Sequence, residues 1–115
     1  MHEYSVTKNI VNIVNNAAAA RGAARVKTVF LVIGESTCVI PDCVQIYYGM
    51  IARGTASEGA AINVRVVKPE MYCPVCLKTY HRPRFSFDCP TCGTAGSPTE
   101  AGNELYVERV ELEVI

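Results

Sequence analysis

Four of the six cysteines fall in two pairs, Cys73-Pro74-Val75-Cys76 and Cys89-Pro90-Thr91-Cys92, with twelve residues between Cys76 and Cys89. Each pair can place two thiolates on one ion, and twelve residues suffice for a short hairpin that brings the pairs together. Gly93 follows the second pair and supplies the permissive backbone such a knuckle needs just past its last sulfur. Four soft sulfurs in a tetrahedron favour Zn²⁺, or iron in a rubredoxin-like setting. A shell of four sulfurs is closed to substrate, so the ion is expected to be structural. A redox dithiol fits less well, because it needs one pair at a helix start after a strand and leaves the other pair unexplained. Three disulfides would suit a secreted chain, but the first residues carry neither a basic region nor an unbroken apolar stretch. His81, between the pairs, is expected on the surface. Cys38 and Cys43, outside them, are expected to be small buried hydrophobes.

A quieter pattern stands at the amino end, Met1-His2-Glu3. A free amine followed by histidine is a chelator. The Met1 amine, the His2 amide nitrogen and the His2 imidazole can close two fused rings on one ion. Nitrogen donors in a tetragonal plane suit Ni²⁺ or Cu²⁺. Glu3 can add a carboxylate oxygen or its own amide nitrogen. The alternative is a terminus that is only solvated.

These groups need elements to position them. At 115 residues, 50% of them hydrophobic and 19% charged, the chain is expected to fold rather than stay disordered. Val6, Ile10, Ile13, Ala17, Ala20 and Ala24 share a helical stripe, and Gly22 is a stop, so the pattern predicts a helix over about 4–21. The β-branched and aromatic run 26–33 predicts a buried strand. Pro41 opens a second helix, with Val44, Tyr47, Tyr48 and Ile51 on one face and Gly54 beyond its end. Ile46 and Met50 sit on the opposite face, which predicts a cover from another module or subunit. Ile62, Val64 and Val66 alternate as a half-buried strand. The segment 104–115 alternates with a slip of phase, and a bulge near Glu108 or Arg109 would restore one inward face.

Between 67 and 104 the character changes: five of the six prolines and four cysteines, and no amphipathic period. The predicted fold is α+β, two helices on a three-stranded sheet in the order α-β-α-β-insert-β, with a small zinc-ribbon domain inserted before the last strand. Residues 1–67 and 104–115 are expected to form one α/β domain, which bears the amino-terminal chelator, and 68–103 a zinc-binding domain. An insert this short lacks a hydrophobic core of its own, so a metal would have to fold it.

An M-H-E start on a helix, this element order, the C-x-x-C pairs and a closing strand together resemble the hydrogenase maturation nickel metallochaperone family HypA (HypA/HybF). Met1-His2-Glu3-Tyr4-Ser5 is similar to the family's opening. Gly34-Glu35, Gly59-Ala60 and Gly102-Asn103-Glu104-Leu105 also fall where the family has similar residues. The resemblance covers essentially the whole chain and rests on the ordered set rather than on one motif. It implies a protein that is not an enzyme, binds Ni(II) as transient cargo and passes it to the large subunit of a [NiFe]-hydrogenase, with the GTPase HypB as partner. It implies His2 as the essential nickel ligand with Met1, Glu3 and Asp42 beside it, and Cys73, Cys76, Cys89 and Cys92 as ligands of structural Zn(II). One departure stands out. Some members carry a histidine directly after a C-x-x-C, where this chain has Leu77 and Gly93, which argues against a zinc site of that acid-responsive kind.

Charge bears on the competing reading, a zinc-ribbon module that binds RNA or a protein. Lys68, Lys78, Arg82 and Arg84 cluster in the insert, interleaved with Tyr80, Phe85 and Phe87, as on a nucleic-acid ribbon. Those aromatics are as easily the insert's small core. Eleven basic residues balance eleven acidic ones, and four thiolates on one Zn²⁺ would take the sum to −2, so neither nucleic acid nor an anionic membrane is an expected partner. A metal-dependent enzyme would need an open zinc position and an acid–base pair, and neither is visible. The expected setting is cytoplasmic, as a monomer or a homodimer that exchanges elements.

Overall fold

The computed structural model describes residues 2–114. Helix α1 (Glu3–Ala20) buries Thr7, Ile10, Val11, Val14 and Ala18. This face is rotated from the predicted stripe: Ile13 is 55% exposed, and Ala17 and Ala20 face solvent. Thr7 hid the true face, because it reads as polar. Its hydroxyl donates to the Glu3 carbonyl at 2.6 Å, which leaves the methyl to pack. The helix ends where Gly22 takes φ +61°. There the Gly22 and Ala23 amides donate back to Ala19 and Ala18, a Schellman stop.

Strand β1 (Arg25–Gly34) is the centre of a three-stranded sheet, flanked by the strand Ala61–Val67 on one side and the closing strand Leu105–Glu113 on the other. Helix α2 (Pro41–Ile51) crosses back so that β2 (Ala61–Val67) runs parallel to β1. Pro41 opens α2 in the first turn, where its missing N–H costs nothing. Both helices lie on one face: Ile10, Val11 and Val14 from α1 and Val44 and Tyr48 from α2 close over Val29, Leu31 and Ile33. Ile46 and Met50 remain 62% and 54% exposed, so nothing in the described chain covers that side of α2.

Strand β6 (Leu105–Glu113) returns antiparallel to β1 after the insert. Phe30 pairs with Arg109 and Leu31 with Val107, so Glu108 is skipped. That bulge lies where the slip of phase places it. It turns Val107, Val110 and Leu112 onto the same helix-packed face. On the other face the Arg109 guanidinium covers the Phe30 ring at 3.8 Å.

The insert forms a second small sheet from β3 (Glu70–Cys73), β4 (Lys78–His81) and β5 (Ser97–Pro98), ordered β4-β3-β5. The hairpin differs from the predicted one. Its turn is the first C-x-x-C itself, closed by the Leu77 amide on the Cys73 carbonyl at 2.9 Å, and residues 77–88 supply β4 and a loop. The buried cluster is Met71, Cys73, Tyr80 and Cys89. Of the three aromatics only Tyr80 is inside; Phe85 and Phe87 are 92% and 59% exposed. The molecule is elongated, 57 × 25 × 16 Å. The two lobes meet at Gly34, where a Cβ would lie 2.0 Å from the Gly102 carbonyl oxygen. Only glycine allows that crossing, which the Ser36 amide seals with a 2.9 Å bond to the same oxygen.

Candidate metal centres

Two turns bring the paired cysteines together. Cys73 ends β3, and the chain reverses so that the Cys76 amide points at the Cys73 sulfur, 3.3 Å away. The second knuckle is closed by the Gly93 amide on the Cys89 carbonyl and by the Cys89 amide on the Thr94 carbonyl, both at 2.8 Å. In each knuckle the residue after the second cysteine is left-handed: Leu77 at φ +56° and Gly93 at φ +77°. All four sulfurs then lie within 4.8 Å of one another. Cys73 and Cys92 are 3.5 Å apart, and Cys76 and Cys89 3.9 Å. A tetrahedron with metal–sulfur bonds of zinc length needs sulfurs about 3.8 Å apart, so the donor set fits that ion with small shifts of the side chains.

The electrostatics agree. Cys92 is brought down to about 6, chiefly by the Thr94 hydroxyl and then by the Thr94 amide. Cys89 is lowered by the Cys92 amide first. Cys76 is pushed up to about 12, first because its thiol hydrogen-bonds the Cys92 sulfur, then by desolvation. Four sulfurs at this spacing cannot all ionise by themselves, and a divalent cation among them removes that conflict. Spacing alone does not single out Thr94, whose role becomes visible only once the knuckle is folded. His81 is exposed and outside the cluster, its Nδ1 3.4 Å from the Pro69 carbonyl oxygen.

The amino end is assembled differently. His2 caps α1 with no side-chain hydrogen bond to the helix and is exposed. Met1 lies outside the described residues. The Glu3 carboxylate accepts a long 3.4 Å bond from the Ile40 amide. This bond carries the first turn of α1 to the start of α2, where Asp42 sits exposed in the first turn. Among the described residues His2, Glu3 and Asp42 do not close into a ligand cluster; the four cysteines do. Cys38 and Cys43 flank the same helix start. Cys38 is exposed and left-handed at φ +59°, and Cys43 is half-buried. The expected burial of Cys38 is therefore corrected: the short 3₁₀ turn Glu35–Thr37 ends by turning it outward.

No helix among the described residues is long and apolar enough to cross a membrane. Compared with known proteins, residues 1–112 match the family model described as HypA, "Hydrogenase/urease nickel incorporation, metallochaperone, hypA". The chain is 34% identical over 114 residues to the hydrogenase maturation factor HypA of Caldanaerobacter subterraneus subsp. tengcongensis, covering 98% of this chain and 100% of that one. It is 36% identical over 113 residues to the factor of the same name from Geobacter sp. strain M21, again covering 98% and 100%. Among solved structures, the solution structure of a HypA protein superposes with a TM-score of 0.71 at 21% identity, over 97% of this chain and 96% of that one. The solution structure of the Ni metallochaperone HypA from Helicobacter pylori gives 0.67 at 20% identity over the whole of both chains.

Proposed function

The chain belongs to the HypA family of nickel-incorporation metallochaperones, and on that premise we propose that it carries Ni²⁺ at its amino end and hands it to a [NiFe]-hydrogenase large subunit. The HypB GTPase is the proposed partner in that transfer, and the cytoplasm its setting. Zn²⁺ on Cys73, Cys76, Cys89 and Cys92 folds the insert, which spans about residues 68–103, and takes no part in the transfer. The carrying observation is that the family match begins at residue 1, so the M-H-E start is within it.

The chemistry follows from the donors. The Met1 amine, the His2 imidazole and the His2 amide nitrogen, its proton released to solvent, would supply three donors of a tetragonal set, and Glu3 or Asp42 would offer the fourth. Among the described residues, the Glu3 carboxylate is tethered by its 3.4 Å bond to the Ile40 amide. A bond this long is weak, so the carboxylate can leave that amide for the ion and return when the ion departs. Such a site suits cargo, whereas four preset sulfurs suit a resident ion. Metal analysis after nickel exposure tests the reading, comparing the native chain with His2→Ala and with one residue added before Met1. The expected result is loss of nickel in both with zinc unchanged. Nickel retained by both variants at the native level would overturn it.

A further inference from the structure

We propose that the cleft where the two lobes meet is a docking site for a short acidic segment of a partner protein. The cleft has a volume of about 650 Å³, and its walls include Lys68, His81, Arg82, Arg84 and Phe85 from the insert side and Glu35 from the sheet side. This proposal does not depend on the nickel site.

Three observations converge on it. First, the cleft cations are unspent. The ion pairs among the described residues are Arg25–Glu113, Arg65–Glu108 and Arg109–Glu111, all on the sheet. Lys68, Arg82 and Arg84 are in none of them. Second, Arg82 is held ready. Its guanidinium lies 4.0 Å from the centre of the Phe87 ring, and its Nε donates to the Ser86 carbonyl at 2.9 Å. Its plane is thereby fixed, and the two terminal amino groups are left for a carboxylate. Third, Phe85 stands 92% exposed beside Arg84, in a left-handed backbone at φ +61°. A bulky residue at positive φ is uncommon, and here that backbone holds an apolar ring in water at the mouth of a cationic cleft, where a partner could cover it. An acidic segment with an apolar side chain would occupy both the cations and the ring.

The surroundings favour a short peptide over a nucleic acid. Three of the insert's four Lys and Arg residues line the cleft, and Lys78 lies off it at the other end of β4. Glu70, Asp88 and Glu100 lie elsewhere in the insert, and the chain as a whole has no basic excess. A nucleic acid needs a broad positive surface, which this balance of charge does not offer, whereas a few carboxylates need only the cations of the cleft. Glu35 on the facing wall gives the occupant a direction, because an acidic end is repelled there.

Fluorescence anisotropy with the full-length, zinc-loaded protein tests this. The probes are a labelled peptide of alternating glutamate and leucine and a labelled oligouridylate of equal charge. The peptide is expected to bind saturably, about tenfold or more tighter than the oligouridylate, with affinity falling as salt rises. The double reversal Lys68→Glu, Arg84→Glu should weaken peptide binding about tenfold or more, and Phe85→Ala about two- to tenfold. Arg21→Glu, a charge change on the far lobe, should leave it unchanged. Lys68→Glu alone provides an independent reading should the double variant fail to keep its zinc. The proposal is overturned by any of three results: no saturable peptide binding, equal or tighter binding of the oligouridylate, or reversals that leave peptide affinity as it was.

Discussion

In the helix–sheet lobe, twelve buried residues from α1, β1, α2 and their connections make one apolar cluster. In the insert lobe the cluster has four members, and two of those are cysteines. The first lobe can hold its shape by removing methyl groups from water. The second cannot, since Met71 and Tyr80 are all the apolar bulk it buries. Its remaining order is a few short ladders and four sulfurs within 4.8 Å. With zinc bound as proposed, the lesson is a division of labour in which one lobe is folded by area and the other by ligand geometry. The amino end belongs to neither scheme. It is attached to α1, yet among the described residues His2, Glu3 and Asp42 are not brought together in advance.

Withdrawal of the metal is the strongest way to break this comparison. Apparent free energies for structural zinc in small domains run to about 10–16 kcal/mol. A strong chelator, or Cys73→Ser, should therefore unfold the insert outright while the sheet survives. Amide hydrogen exchange reads this directly, as lost protection across β3 and β4 with β1 unchanged. An insert that stayed protected without metal would mean that its fold does not rest on the sulfurs. The converse experiment is Leu31→Ala. Leu31 is 1% exposed at the centre of the apolar cluster, and its truncation should cost about 2–5 kcal/mol in urea unfolding. Zinc content should not change.

The junction sharpens the comparison, because it is the one place where the lobes must move as neighbours. Gly34→Ala sets a methyl group onto the Gly102 carbonyl, so the end of β1 or the turn at Gly102 must shift, straining the Ser36–Gly102 bond. A cost of about 1–3 kcal/mol is expected, in the range of overpacking. If exchange speeds up on both sides of the crossing, the lobes share a mechanical joint. If only β1 loosens, they are independent.

The same contrast explains what was legible from sequence. Cysteine spacing is a covalent pattern and survives without any knowledge of the fold, so the four-sulfur cluster could be read directly. The bulge at Glu108 was legible too, because side chains alternate strictly in a strand and a slip of phase has one cheap remedy. The buried face of α1 was not. Thr7 looks polar and Ile13 apolar, yet the threonine hydroxyl is satisfied by its own helix while Ile13 is left in water. The exposure of Phe85, Phe87 and Cys38 was equally hidden, since composition carries no sign of which way a loop turns a side chain. Helix, strand and insert order came through because each rests on many residues. Single orientations did not, because each rests on one backbone angle.

The smallest expected effect concerns the two knuckles themselves. They place different residues at the same left-handed position, Leu77 in one and Gly93 in the other. A Cβ on Gly93 would meet nothing within 4 Å, so Gly93→Ala tests backbone strain alone and should cost about 1 kcal/mol. Leu77 already bears that strain, and its side chain is 72% exposed, so it recovers little by burial. Leu77→Gly relieves the strain but frees the unfolded chain, and the two nearly cancel, leaving a gain of about 0–1 kcal/mol. Zinc transfer to a competing chelator measures both. A slower transfer for Leu77→Gly fits a knuckle whose leucine has no partner in this chain. A faster transfer would show that the exposed leucine packs on the knuckle more than its accessibility suggests. The insert would then rest on apolar contact as well as on sulfur.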